Sequence, residues 1–252
     1  MPDIVLIDDQ PMAVQESKPN PGKSLDIEVG GETYARLPIR TRVINEKDDL
    51  LGLVGEYVIP QAKPGDILAV SEKVVALTQG RIMRIDSIKP RRLARFLSKR
   101  VRNNYGTKDF KGFGHGTAMG MELLIREAGY PRALFAAAVS ALTRPLGIKG
   151  AFYLICGKRS KSVDCPMSFA IHPYTMYAKL APMDPEGVAA KLSRATGCET
   201  IIVDANYQGV FSLGKSTRRI TERLIKGLLR DNPMGQDDEL TPFCLIRKKG
   251  KG

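Results

Sequence analysis

The chain has 252 residues, 43% of them apolar, which excludes a disordered polymer and permits a sizeable core. Lys and Arg total 39 against 27 Asp and Glu, so the chain carries a net charge of +12 and favours anionic partners such as a nucleotide, a phosphorylated metabolite or nucleic acid. No run approaches the roughly 18 apolar residues of a membrane span, and the opening MPDIVLIDDQP lacks the basic and apolar stretches of a secretory signal, so a cytoplasmic protein without membrane contact is expected.

In chain order, residues 1–30 read as a flexible arm rich in Pro, Ser and charge, with order beginning near Glu32. Residues 31–252 read as one domain, with the option of two intertwined subdomains. YARLPIRTRVI is predicted as a strand interrupted at Pro38, and DDLLGLVGEYVI as a helix with Asp48 and Asp49 at its positive end. A turn at Pro64–Asp66 launches ILAVSEKVVAL, read as one strand, and Gly80 leads into RIMRID. PRRLARFLSKRVRNN is a basic helix opened by Pro90, with Leu93, Phe96, Leu97 and Val101 on one face. MELLIREAG and PRALFAAAVSAL follow as helices, and AFYLICG as a buried strand. SFAIHPYTMYAKL reads as strand and turns. DPEGVAAKLSRATG is a helix with Asp184 as N-cap, Pro185 at its first position and Gly197 after its end. ETIIVDAN is a strand bearing a carboxylate, TRRITERLIKGLLRD a helix and TPFCLIRKK the last strand. Strands and helices alternate irregularly, which predicts an α+β fold of mixed sheets with flanking helices.

Four cysteines, Cys156, Cys165, Cys198 and Cys244, form no CxxC pair, which argues against a zinc ribbon and for buried, reduced thiols. Gly209–Ser216 satisfies GxxxxGKS, the phosphate-cradling loop, with Lys215 in the phosphate-binding position. Ala205–Gln208 separate it from the preceding strand, however, and only 36 residues remain after Ser216 for the rest of such a domain. Both readings, phosphate loop and coincidence, stay open. Gly112–Gly120 is a Gly-rich loop or lid that carries His115; His172 is the other histidine. Asp164 and Asp204 sit where sheet proteins gather their sites, beyond or at strand ends, and Mg²⁺ commonly takes one or two such carboxylates. Lys73, within Ser71–Lys73, faces either solvent or an anion. Arg91, Arg92 and Arg95 form either a solvated helix face or a cradle for an anionic substrate.

These segments, in this order, resemble the coenzyme F420-0:L-glutamate ligase family. The resemblance runs over residues 33–250 and is carried by LPIRTRVINEKDDL, PGDILAVSEKVVALTQGR, DPEGVAAKLSRATGCETIIVDANYQG and PMGQDDELTPFCLIRKKG. It implies the intertwined two-subdomain fold of that family and a homodimer. It also implies an acid–amino-acid ligase that uses GTP or ATP with Mg²⁺ or Mn²⁺ to join an amino acid such as glutamate to a carboxylate. Asp164 and Asp204 are then metal ligands, with Gln236 a possible third. Leu37, Pro38, Ile39, Arg40, Lys73, Met234, Gly235, Gln236, Asp237, Asp238, Glu239 and Thr241 border the nucleotide. The chain departs from the family pattern at Met167, where an amide is expected, at Leu77, where a second Lys is expected, and at Ala205, where a hydroxyl is expected. A different acid or amine is compatible with these changes. The alternative from another class is a non-enzymatic nucleotide- or nucleic-acid-binding protein of the same fold. Nucleic acid is disfavoured by the absence of Trp and the 6% aromatic content, which leave few stacking platforms.

Overall fold

The computed structural model describes residues 17–100, 114–167, 172–206, 209–235 and 238–250. Its main element is a six-stranded mixed sheet in the order β1-β2-β8-β3-β6-β7. The strands are β1 (Asp26–Val29), β2 (Glu32–Ile39), β3 (Ile67–Ser71), β6 (Glu199–Asn206), β7 (Gly209–Lys215) and β8 (Phe243–Lys248). The short strands β4 (Ile82–Arg84) and β5 (Tyr177–Lys179) pair separately. The α+β class agrees with the irregular alternation of patterns.

The central strands are apolar on both faces, as strands covered on both sides must be. Leu68 and Val70 of β3, Ile202 of β6, and Phe243 and Leu245 of β8 pack on one face. They meet Leu53 of helix α1 (Leu50–Leu53), Val54, Tyr57 and Val58 of the π-helical turn that continues it, and Leu192 of helix α8 (Pro185–Thr196). Ile67, Ala69, Ile201, Val203, Cys244 and Ile246 point the other way, against Ile225 and Leu228 of helix α9 (Glu222–Leu228). A second body of helices follows β4: α3 (Arg92–Ser98), α4 (Ala118–Ala128), α5 (Tyr130–Thr143), α6 (Ala151–Cys156) and α7 (Lys158–Lys161). Ala94, Leu97, Met121, Leu124, Ile125, Ala133, Phe152 and Cys156 make its core. All four cysteines are buried and free. Among the described residues no helix is long and apolar enough to cross a membrane.

Several expectations hold at residue level. Asp49 caps α1 by accepting from Gly52 N at 2.7 Å, while Asp48 pairs with Arg42 instead. Asp184 caps α8, Pro185 starts it, and Gly197 ends it at φ 71°. Other expectations are corrected. The arm reading fails over 26–29, which form β1; residues 1–16 lie outside the described residues. Gly30 and Gly31, at φ 63° and 77°, make the two-residue turn that returns the chain as β2. The run ILAVSEKVVAL is not one strand. It changes period at Ser71, after which Val74, Val75 and Leu77 form the buried face of helix α2 (Glu72–Thr78). AFYLIC is a helix, with Phe152 and Cys156 buried four residues apart and Leu154 exposed. A short apolar run cannot separate strand from helix by periodicity alone.

The phosphate-loop reading is overturned. Gly209–Lys215 is an extended strand paired antiparallel to β6. Gly214 is needed for close packing on α8: a Cβ there would lie 2.3 Å from the Pro185 carbonyl carbon. Lys215 Nζ donates to the Ile220 carbonyl at 3.0 Å and pairs with Glu222. The next helix starts only at Glu222, capped by Thr221. Of the Gly-rich segment, Gly112 and Phe113 lie outside the described residues, as does Val101. Gly114–Gly116 form a single 3-10 turn, and Thr117 caps α4 by accepting from Gly120 N at 2.9 Å.

Candidate active site

The sheet topology sends four chain segments to one edge. β3 and β6 run parallel, with Ser71 opposite Val203, so Glu72 and Asp204 follow side by side. β8 runs antiparallel to β3 and β2 antiparallel to β8. Hence the segment entering β8 and the segment leaving β2 arrive at the same edge, the end at which ligands bind in open α/β sheets. Backbone bonds tie them together: Ser71 N donates to the Pro242 carbonyl and Thr41 N to the Leu240 carbonyl, both at 2.8 Å.

At this edge lies a buried charge cluster. Lys179, with no exposed side-chain surface, donates from Nζ to both oxygens of Glu72 at 2.6 and 2.8 Å, and to the Ser162 carbonyl at 2.5 Å. Ser162 Oγ donates to Glu72 Oε2 at 2.8 Å. Asp164 lies beside Lys179 because the two residues exchange backbone hydrogen bonds, and its Oδ2 stands 4.0 Å from Nζ. Burial pushes the Glu72 carboxyl up; the Lys179 charge opposes this, while Asp204 and Asp164 add to it, and the result is a pKa of about 7. Burial works against the Lys179 charge, but Glu72 and Asp164 carry its pKa above the ordinary lysine value. Three carboxylates against one ammonium leave a surplus of two negative charges when all are ionised. The donors are hard oxygens, and the surplus matches a divalent cation, so the residues fit Mg²⁺ or Mn²⁺. Among the described residues no group of three His, Cys, Asp or Glu side chains forms a ready metal cage. Asp164 and Asp204 would supply one or two ligands, with water and phosphate completing the shell.

Two clefts open beside the cluster. The inner one, of about 180 Å³, is lined by Glu72, Lys73 and Asp204 together with Met234, Gly235, Glu239 and Thr241. The outer one, of about 550 Å³, is lined by Pro38, Ile39, Arg40, Asp238, Glu239 and Thr241, with Lys18 and Asn20 across from them. Glu239 and Thr241 are the wall they share. Asn20 Nδ2 fixes that wall by donating to Thr241 Oγ1 and the Pro233 carbonyl, each at 2.8 Å. The expected nucleotide residues are therefore gathered, but around two neighbouring spaces. Leu37 is the exception and packs against the core. Gln236 and Asp237 lie outside the described residues. Arg91, Arg92 and Arg95 line neither cleft, and Arg91 pairs with Glu122 at 2.9 Å. His172 is exposed. His115 is half-buried beside Tyr153, its Nε2 is buried without a partner, and burial lowers its pKa against the pull of Asp164.

The profile of the F420-0:Gamma-glutamyl ligase family matches residues 38–220. The chain belongs to this family. A search of curated proteins returns no match. Membership makes a ligase the general role of the chain. The match covers Glu72, Asp164, Lys179 and Asp204 and stops before Met234–Thr241, so that segment's place in the site rests on geometry. Leu77, Met167 and Ala205, the three departures from the family pattern, all line the inner cleft, and all are apolar. Lys179, Glu72 and Ser162 were missed by sequence reasoning. Lys179 is one of 39 basic residues, and nothing local distinguishes the buried one. Glu72 carries a signal, an acid inside an apolar run, next to the more conspicuous Lys73.

Proposed function

We propose that the chain is a nucleotide- and divalent-metal-dependent ligase that joins an amino acid such as glutamate to a substrate carboxylate through an acyl phosphate. The observation that carries this reading is the surplus of negative charge around Lys179, set beside two clefts that share one wall. GTP or ATP occupies the larger, outer cleft, with Arg40 and Lys18 available to its phosphates. Asp164 and Asp204 would hold Mg²⁺ or Mn²⁺, which would supply neutralisation of phosphate charge. An oxygen of the acid attacks the terminal phosphorus, the bond to the bridging oxygen breaks, and the nucleoside diphosphate leaves. The amine nitrogen then attacks the acyl carbon, the carbon–oxygen bond breaks, and inorganic phosphate departs with the amine's proton. Such chemistry asks the protein mainly for positioning and charge stabilisation. Lys179 holds the buried Glu72 in place and offsets part of the charge of the half-buried Asp164. Exposed Phe135 and Leu142 on α5, Leu146 in the 3-10 turn after it and Leu154 on α6 supply apolar surface of the kind a homodimer covers, checked by sedimentation.

The test is calorimetry and thermal shift with GTP and ATP, with and without Mg²⁺ or Mn²⁺, on wild type and Asp204→Ala. Metal-dependent binding lost in the variant is expected. No binding of either nucleotide in any metal refutes the ligase mechanism. Steeply salt-dependent oligonucleotide binding in its place would favour a nucleic-acid protein of this fold.

A further inference from the structure

Two segments outside the family profile close the outer cleft together. The match starts at residue 38 and ends at residue 220, whereas one wall of the cleft comes from residues 17–21 and another from Asp238, Glu239 and Thr241. Residues 17–24 run ahead of β1, which begins at Asp26. Among the described residues, no apolar cluster includes a side chain before Ile27, so hydrogen bonds and not core packing hold this stretch in place.

Those bonds converge on the chain between α9 and β8. Pro21 and Gly22, the latter at φ 71°, make a turn closed by Lys23 N, which donates to the Asn20 carbonyl at 2.9 Å. Asn20 Nδ2 donates to the Pro233 carbonyl and to Thr241 Oγ1, each at 2.8 Å. One amide therefore ties together positions 233 and 241, the two ends of the loop that carries Met234, Gly235, Asp238 and Glu239 to the clefts. The polarity of this clasp is fixed. Thr241 Oγ1 donates its proton to the Met234 carbonyl at 2.5 Å, so toward Asn20 it accepts, and the Pro233 carbonyl accepts as well. Lys23 Nζ adds a bond to the Asp231 carbonyl at 2.5 Å, and Arg36 holds the Ser24 carbonyl.

We propose that residues 17–24 are a strap belonging to the nucleotide site, in which Asn20 is a positioning residue that sets the 233–241 loop, so that strap and bound nucleotide stabilise each other. The nucleotide half rests on the reading of the outer cleft given above; the clasp on the loop does not. When the strap leaves, the outer cleft loses Lys18 and the loop loses the tie between its ends. A nucleotide that binds the strapped form more tightly holds the strap down by the same factor.

The test variant is Asn20→Asp, which keeps the shape of the side chain but sets an acceptor against two acceptors. Calorimetry on the full chain uses non-hydrolysable GTP and ATP analogues with Mg²⁺. Affinity is expected to fall about five- to tenfold, at the low end of coupling between linked sites, while the melting temperature stays within about 4 °C of wild type. Thr241→Val removes the same tie from the other side, so the double variant should bind within about twofold of the weaker single variant, whereas independent structural losses would add. Reciprocity is read by limited trypsin digestion, with mass spectrometry of the cut after Lys23. Saturating analogue should slow that cut about fivefold or more in wild type and less than about threefold in Asn20→Asp. Unchanged affinity in Asn20→Asp, additive losses in the double variant, or a cut after Lys23 indifferent to the analogue in wild type overturns the proposal and leaves the ligase reading intact. If wild type binds neither analogue, the ligase reading fails and takes the nucleotide half with it. Hydrogen exchange then judges the clasp: amides between 234 and 241 should exchange faster in Asn20→Asp, and equal exchange overturns it.

Discussion

Replacing Lys179 by Met isolates the electrostatics of the site. Met is close in length and removes only the ammonium. Glu72, 2% exposed, then loses two charge-assisted bonds and keeps Ser162 Oγ as a donor. Removing one partner of a buried pair costs about 3–5 kcal/mol because the other charge is left uncompensated. Glu72 can escape that cost by taking a proton. Holding a carboxyl neutral costs about 1.36 kcal/mol for each pH unit above its ordinary pKa near 4.5. Wild-type Glu72, pushed up to about 7, already bears most of this cost, so losing Lys179 adds at most about 1.4 kcal/mol at pH 8 and almost nothing at pH 6. The sign follows from the upward shift of Glu72. Its contribution to stability is fully present below pH 4.5 and is lost as pH rises through the folded value, which without Lys179 lies above the wild-type value of about 7. Urea unfolding followed by far-UV circular dichroism suits a chain with no Trp. Lys179→Met should lose about 1–1.5 kcal/mol at pH 8 and less than about 0.5 kcal/mol at pH 6. Adding Glu72→Gln should restore most of the loss and remove its pH dependence. A deficit below about 0.5 kcal/mol at pH 8, or the same deficit at both pH values, would refute a buried ion pair at this position.

Asp204→Asn should abolish metal-dependent nucleotide binding while leaving the melting temperature unchanged or raised, since it relieves like charge around Glu72; a large fall in melting temperature would make Asp204 structural instead. Arg36, almost fully buried, ties the Ser24 and Leu228 carbonyls and Asp231 together, so Arg36→Met should cost about 1–3 kcal/mol in urea unfolding. Burial opposes ionisation of Asp231, but Arg36 wins and lowers its pKa; this stability is present above pH 3.8 and lost on further acidification, and Asp231→Asn should flatten that acid limb of the unfolding curve. Gly214→Ala should cost about 1–3 kcal/mol by forcing α8 from β7, whereas Lys215→Ala should leave nucleotide affinity within twofold, which a true phosphate loop would not permit.

Much of the framework was legible because it depends on neighbours in sequence. The caps of α1 and α8, the helices α4 and α5, and the strands β2, β6 and β8 follow from local spacing and end residues. Asp164 and Asp204 were singled out as carboxylates at strand ends, but the run before Asp164 is helix α6 and β6 continues past Asp204 to Asn206; the family resemblance followed from ordered segments. Errors fell where local signals are ambiguous. Ile67–Leu77 and Ala151–Cys156 are short apolar runs, and only packing on both faces decides between strand and helix. GxxxxGKS matched in letters, but antiparallel pairing with β6 holds that stretch extended.

What the sequence determined by itself was therefore the class of the fold, the start of α1, both ends of α8 and the family. Tertiary structure alone decided which charges meet. Glu72 and Lys179 are 107 positions apart, and Asp164 and Asp204 are 40 apart. They converge because parallel pairing of β3 with β6 puts the end of β3 beside Asp204 of β6, while the Asp164–Lys179 bridge brings the lysine to them. The same pairing turned Leu77, Met167 and Ala205, three unrelated departures along the chain, into one apolar wall. Burial and charge coupling are properties of that closed arrangement, and no local pattern along the chain encodes them.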